Sequence, residues 1–119
     1  MTQKNDLQHL SDKIQAFCEA RDWDQFHPPK ELAIGISTEA AELLDLFRFK
    51  SAEQIQGMFA DANVREKIED EMADVFFFIL RMSQMNKVDL VRAVERKLEK
   101  NALKYPVETA KGSNKKYNE

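Results

Sequence analysis

Apolar residues recur at three- and four-residue spacings along most of this chain, the period of amphipathic helices and not the alternation of strands. Leu7, Leu10, Ile14, Phe17 and Cys18 predict a first helix from about residue 6 to residue 20, with Asn5 or Asp6 able to cap its start. Arg21-Asp22-Trp23-Asp24-Gln25-Phe26-His27-Pro28-Pro29 breaks the period and ends in two prolines, which favour extended backbone before the first turn of a new helix. Aromatic rings in such a loop either plug the end of a bundle or grip a ligand. A second helix runs from Pro29 to about Phe47, closed by the positive charge of Arg48-Phe49-Lys50. Ser51-Ala52-Glu53-Gln54 has the form of a capping box opening a short helix that ends near Asp61. Asn63-Val64-Arg65-Glu66 repeats that form and opens the longest helix, to about Gln84. Its Val75-Phe76-Phe77-Phe78-Ile79-Leu80 run is apolar nearly all round and needs packing on most sides, for which partner subunits are the simplest cover. Asp89 caps a last helix, about Leu90 to Lys104, with Leu90, Val91, Val94, Leu98 and Ala102 as its stripe, and Tyr105-Pro106 stops it. Residues 107–119 read as a polar, mobile tail carrying Lys111, Lys115, Lys116 and Tyr117. The expected architecture is a single all-α domain over 1–119, a four-helix bundle with a short connecting helix.

Composition narrows the class. Charged residues make up 33% and hydrophobic residues 43%, with three Gly and three Pro, which suits a helical protein better than a turn-rich β sandwich. A net charge of −3 gives no general drive toward nucleic acid or an anionic membrane, so an anionic ligand must be held locally. The single cysteine, Cys18, excludes an internal disulfide and lies on the first helix's apolar stripe. The N-terminus is polar and no run approaches about 18 apolar residues, so neither signal peptide nor membrane span is expected and the location reads as cytoplasmic.

Chemistry concentrates in two acidic pairs. Glu39-Ala40-Ala41-Glu42 and Glu71-Met72-Ala73-Asp74 each place two carboxylates one helical turn apart. Glu39 falls within the stripe Leu32, Ile36, Ala40, Leu43, Phe47, and Glu71 within Ile68, Met72, Val75, Phe78, Ile79, Met82, so the acids are expected to point inward. Inward carboxylates stay ionised only where a cation or dense hydrogen bonding offsets their desolvation. Glu66-x-x-Glu69 shows that the spacing alone is weak; two inward pairs on separate helices are what a hard divalent cation requires. Di-iron ligation needs Glu-x-x-His pairs, and the only histidines, His9 and His27, lie outside both acidic helices, which points to Mg²⁺ or Mn²⁺. Such ions bind phosphates and activate water. No P-loop is present, since Gly35 and Gly57 lie 22 residues apart. Lys97, Asn101 and Lys104 share a face of the last helix, which reads either as a solvated basic face or as cations aligned against phosphates. Two rival readings are a di-metal carboxylate protein of other chemistry and a non-catalytic oligomerisation module whose acids pair with Arg48, Arg65 or Arg81 of a neighbour.

The spacing of Glu39-x-x-Glu42 and Glu71-x-x-Asp74, with 28 residues between, resembles the signature of the MazG-like all-α nucleoside triphosphate pyrophosphohydrolases. Arg21-Asp22-Trp23-Asp24-Gln25-Phe26-His27-x-Pro29, Phe47-x-Phe49-Lys50, Val88-Asp89-Leu90, Tyr105-Pro106-Val107, Gly112-Ser113 and Lys116-Tyr117 are similar to its dCTP pyrophosphatase branch. The resemblance implies that Glu39, Glu42, Glu71 and Asp74 hold Mg²⁺ on a nucleoside triphosphate, which is cleaved between its α and β phosphates to the monophosphate and pyrophosphate. It further implies that Trp23, Asp24, Gln25, Phe26 and His27 contact substrate, that Lys97, Asn101 and Lys104 lie near the phosphates, and that the chain is a homotetramer built as a dimer of dimers. Trp23, Phe49 and Phe78 are expected to enclose the base. Where animal members carry Trp, Tyr and His, this chain has Phe49, Phe78 and Ile14, which keeps stacking but loses hydrogen bonds that would select cytosine.

Overall fold

The computed structural model describes residues 5–119, so the polar start at Met1 to Lys4 lies outside the described residues. These residues form helices α1 (Asp6–Ala20), α2 (Pro29–Asp45), α3 (Ala52–Met58), α4 (Ala62–Met85), α5 (Leu90–Lys104) and α6 (Val107–Ala110), with a 3₁₀ turn at Asp24–Phe26 and no strand among them. All four long helices foreseen from the period are present, and the fold is all-α.

Local chemistry explains the starts. Asn5 caps α1 by accepting from the Gln8 amide at 2.7 Å. Pro29 opens α2 with no side-chain cap, where its missing N–H costs nothing. At α3 the capping box is complete, Ser51 Oγ accepting from Gln54 N and Gln54 Oε1 from Ser51 N. The cap of α4 is Asp61, not Asn63, because Asp61 Oδ1 accepts from both Asn63 N and Val64 N. The ends shift too: α2 stops at Asp45 in turns through Phe49, and α3 at Met58. Residues 107–110, expected in the tail, make one further turn of helix.

The chain divides into two compact units, up to Asn86 and from Lys87 onward. In the first, α4 packs mainly against α2 and secondarily against α1. Ile14 and Cys18 of α1, Leu32 of α2, Met58 of α3, and Ile68 and Leu80 of α4 form its core. Burying each large aliphatic side chain stabilises by about 1.5–3 kcal/mol. The expected stripes are narrower than the period suggested: Met72 and Ala40 are exposed, as is Phe76, while Phe77 and Phe78 are half-buried.

In the second unit the α5 stripe is not a core. Val91, Val94 and Leu98 are all exposed, and only Leu90 and Ala93 of its first turn are half-buried. Tyr117 comes back edge-on to Tyr105 at 6.0 Å, with the Lys104 ammonium 5.0 Å from its ring centre.

Candidate metal centre

Two helices place the acids. Gly35 of α2 is buried, and a Cβ there would lie 2.8 Å from the Phe78 ring of α4, so only glycine lets this ring lie against the α2 backbone. One to two turns farther along α2, Glu39 and Glu42 meet Glu71, seven residues before Phe78. Since forward steps on α2 match backward steps on α4, the two helices run antiparallel, and their Gly35–Phe78 contact sets how the acidic turns face.

Three carboxylates converge: Glu39, Glu42 and Glu71 each offer an oxygen, all within 4.8 Å of one another. Glu39 and Glu71 are half-buried, and Oε2 of each is sealed from solvent without a hydrogen-bond partner. Inward placement therefore holds for Glu39 and Glu71, whereas Glu42 and Asp74, expected inward, are exposed. Each is the second acid of its pair, turned about 60° round the helix from the first. Asp74 stands outside the converging trio but its charge still acts on the site.

The electrostatics are those of crowded, partly desolvated carboxylates. Glu39 is pushed up to about 7, first by desolvation, then by its hydrogen-bonding contact with Glu42 and the charges of Glu42, Asp74 and Glu71. Glu71 is raised as well, by desolvation and then by Glu42, Asp74 and Asp70. Buried acceptors without donors are rare in folded proteins, and two of them facing a third carboxylate form a donor set that fits a hard divalent cation. These residues could hold a metal ion.

The loop of residues 21–27 is fixed from behind. Arg81, which the oligomerisation reading offers to acids of a neighbouring subunit, is 1% exposed. Its Nε donates to His27 Nδ1 at 2.9 Å, its Nη1 to Gln84 Oε1 at 2.7 Å, and its Nη2 to Asp24 Oδ1. Gln84 Nε2 in turn donates to the carbonyl and hydroxyl oxygens of Ser11 at 2.7 and 2.9 Å. His27 is lowered below its ordinary value, by burial and then by the Arg81 charge. The sequence signal for this hub was a charged residue three positions beyond Phe78 in an otherwise apolar sector.

Other expected residues are placed as follows. Trp23 packs edge-on to Phe17 at 5.5 Å and to His27 at 6.2 Å, while Gln25 donates within the loop to the Asp22 carbonyl and carboxylate. Phe26 is exposed. Phe49 is 91% exposed at a φ of 63°, a left-handed conformation costly for a non-glycine residue, with the Arg48 guanidinium 4.6 Å from its ring centre. Phe78 is half-buried against Gly35 and edge-on to Phe77 at 5.4 Å. Lys97, Asn101 and Lys104 lie on α5, Lys97 exposed, Asn101 half-buried and Lys104 over Tyr117. Arg48 and Arg65 pair within the chain, at 3.8 Å to Asp45 and 3.7 Å to Glu69.

Comparison with known proteins agrees with this architecture. A pyrophosphatase from Archaeoglobus fulgidus superposes with a TM-score of 0.81 at 33% identity, over 89% of this chain and 97% of its own. Among curated proteins, dCTP pyrophosphatase 1 of Rattus norvegicus is 35% identical over 101 residues, 85% of this chain and 59% of that protein. The Homo sapiens protein of the same name is 32% identical over 103 residues, 87% of this chain and 61% of its own. The chain thus spans about three-fifths of the length of these curated relatives. The profile of the MazG-like family matches residues 34–119, a span that holds all four acids of the centre, and the chain belongs to that family.

Proposed function

We propose that this chain is a Mg²⁺-dependent nucleoside triphosphate pyrophosphohydrolase, with Mn²⁺ as an alternative ion, that converts dCTP or related and modified deoxynucleotides to the monophosphate and pyrophosphate. It would serve to cleanse the nucleotide pool of the cytoplasm. The observation that carries the reading is the trio Glu39, Glu42 and Glu71, whose two sealed, partnerless oxygens leave negative charge uncompensated in the protein alone. Of the cations that an oligomerisation module would offer to a neighbour's acids, Arg81 is buried and already paired with Asp24.

Glu39, Glu42 and Glu71 would hold the ion, with Asp74 at the rim. A divalent ion held there would supply charge neutralisation for the triphosphate and favour its cleavage by water between the α and β phosphates. The half-buried Glu39 and Glu71 fix the position of the centre because their helices are locked at Gly35 and Phe78. Trp23, Asp24, Gln25, Phe26 and His27 form the substrate loop, and Phe49 and Phe78 add aromatic surface for the base. Stacking tolerates base identity, and Phe in place of a hydrogen-bonding ring broadens selectivity. Lys97, Asn101 and Lys104 are kept as phosphate contacts on the family resemblance alone, and exposed apolar residues, Met72 and Phe76 in the first unit and Val94 and Leu98 in the second, support a homo-oligomer, a tetramer assembled as a dimer of dimers.

The test is a panel of all common nucleoside triphosphates with Mg²⁺, scoring pyrophosphate against orthophosphate. Pyrophosphate release that is strongest with a deoxycytidine nucleotide is the expected result. Orthophosphate release, or no turnover of any nucleotide, removes the assignment.

A further inference from the structure

We infer that Arg81 is the positioning residue of the substrate loop: it locks Asp24 and His27 to α4 so that Trp23 and Phe26 are presented outward in a fixed pose. The inference rests on the proposed function for what the loop presents its rings to, but the anchoring itself stands on geometry. A guanidinium that is 1% exposed must be paired, and three of its nitrogens are committed, two to the loop and one to Gln84. Gln84 carries the fixation on to Ser11 of α1, so one buried group joins the loop, α4 and α1.

As a device for stability alone this would be a poor choice, because apolar residues of similar volume usually serve a core at least as well as a buried charge, here a guanidinium whose carboxylate partner Asp24 is itself half exposed. What the pair adds is geometry. Arginine's planar fork holds three acceptors at fixed angles, which a lysine cannot do. The loop pinned by Arg81 leaves Phe26 62% exposed and Trp23, edge-on to Phe17 and His27, 37% exposed, so its polar flank is spent on Arg81 while part of each ring stays open. Arg81 lies ten residues beyond Glu71 on α4, and Glu39 ten residues beyond Pro29 on α2, each about 15 Å of helix. Glu71, Asp74, Phe78 and Arg81, at successive steps of three, four and three, lie on one stripe of α4 that leads from the metal centre to the loop anchor.

Arg81→Met and Arg81→Lys test this, with Gln84→Met, which removes the tether to Ser11 and leaves the charge pair in place. Trp23 is the only tryptophan, so acrylamide quenching of its fluorescence reads the pose of the loop without any substrate. In protein of wild-type helicity, the Arg81 variants should show Trp23 more open to quencher and a KM for the preferred nucleotide raised about tenfold or more, with kcat changed far less. Gln84→Met should move both quantities the same way by a smaller factor. If Arg81→Met does not fold, Arg81→Lys and Gln84→Met decide. A lower melting temperature with quenching and KM both unchanged would make Arg81 a core residue and overturn the inference. A wild-type protein that turns over no nucleotide overturns the proposed function instead, and wild-type quenching in the variants overturns the anchoring whichever way that comes out.

Discussion

The two ends of the stripe on α4 solve opposite problems. At Glu71 three carboxylates of the chain meet and two of their buried oxygens have no donor from it; at Arg81 one buried cation finds a carboxylate, an imidazole and an amide, all supplied by the same chain. The first is incomplete without something bound, and the second is complete by itself. The difference shows how to separate a ligand site from scaffold when both consist of charged residues on a helix. Charge that the fold leaves uncompensated marks where a partner of opposite sign belongs, and charge that the fold compensates marks what must not move.

Removing one member of the incomplete end should have the largest effect. Glu71→Gln keeps the shape and takes away a negative donor, so pyrophosphate release should fall by about a thousandfold or more while the helical fold persists. Without divalent cation the variant should melt higher than the wild type, because it relieves the crowding of acids. Near-normal turnover would remove Glu71 from the centre.

Adding a divalent cation is the next largest perturbation. An ion bound only by the folded state stabilises by about 2.7 kcal/mol at one hundred times its Kd, which for a chain of this size is on the order of 10 °C in Tm. Mg²⁺ should therefore raise the wild-type Tm and EDTA should reverse it, with most of the gain lost in Glu71→Gln. An equal rise in both proteins would show that Mg²⁺ acts elsewhere, and the comparison would lose its first half.

The aromatic residues give a smaller effect. Phe49→Ala and Trp23→Ala should each raise KM by about tenfold across all accepted nucleotides, with less change in kcat, since stacking is worth about 1–3 kcal/mol per base. Phe49 makes the sharper test, as its ring is 91% exposed and its loss leaves no hole in the core. Unchanged KM in stably folded Phe49→Ala would remove it from the base site.

Much of this was legible in the sequence, and the exceptions share a cause. Period, prolines and caps placed the four long helices, and the inward register of Glu39 and Glu71 followed from their neighbours Leu32, Ile36 and Ile68. Periodicity reports which face of a helix is apolar, not how wide a strip of it is covered. Hence Met72, Ala40, Glu42 and Asp74, which fall on or beside inward stripes, lie outside, and most of the apolar stripe of α5 is exposed. The Arg81 hub was not legible either, because its partners Asp24 and His27 lie more than fifty residues away in sequence. Only the fold brings them together. The family resemblance contributed what no local pattern could, a reason to join the loop and the acids in one reaction.

The smallest expected effect is also the most direct contrast of the two ends, since their titrating groups shift in opposite directions. Glu39 is raised from its ordinary 4.5 to about 7. The metal-free fold therefore binds this proton more tightly than the unfolded chain does, and the stability that goes with it is fully present below 4.5 and lost as pH rises through about 7. His27 is lowered below its ordinary 6.5, chiefly by burial and then by Arg81. Its contribution is present above 6.5 and lost as pH falls through its folded value, where a protonated Nδ1 would face the Nε–H of Arg81. Glu39→Gln abolishes the first titration, and His27→Gln abolishes the second while offering Arg81 an acceptor. In EDTA, the Tm of Glu39→Gln relative to wild type should climb between pH 5 and pH 8, and that of His27→Gln should decline over the same range. Saturating Mg²⁺ should reverse the sign of the first difference, because the wild-type carboxylate then has its cation, and leave the second as it was. Thermal melts of the three proteins at four pH values, with EDTA and with Mg²⁺, measure all of this. Curves that run parallel for the two variants, or a His27→Gln difference that responds to Mg²⁺ as strongly as that of Glu39→Gln, would show that the two ends are one electrostatic unit and not an open site beside a closed anchor.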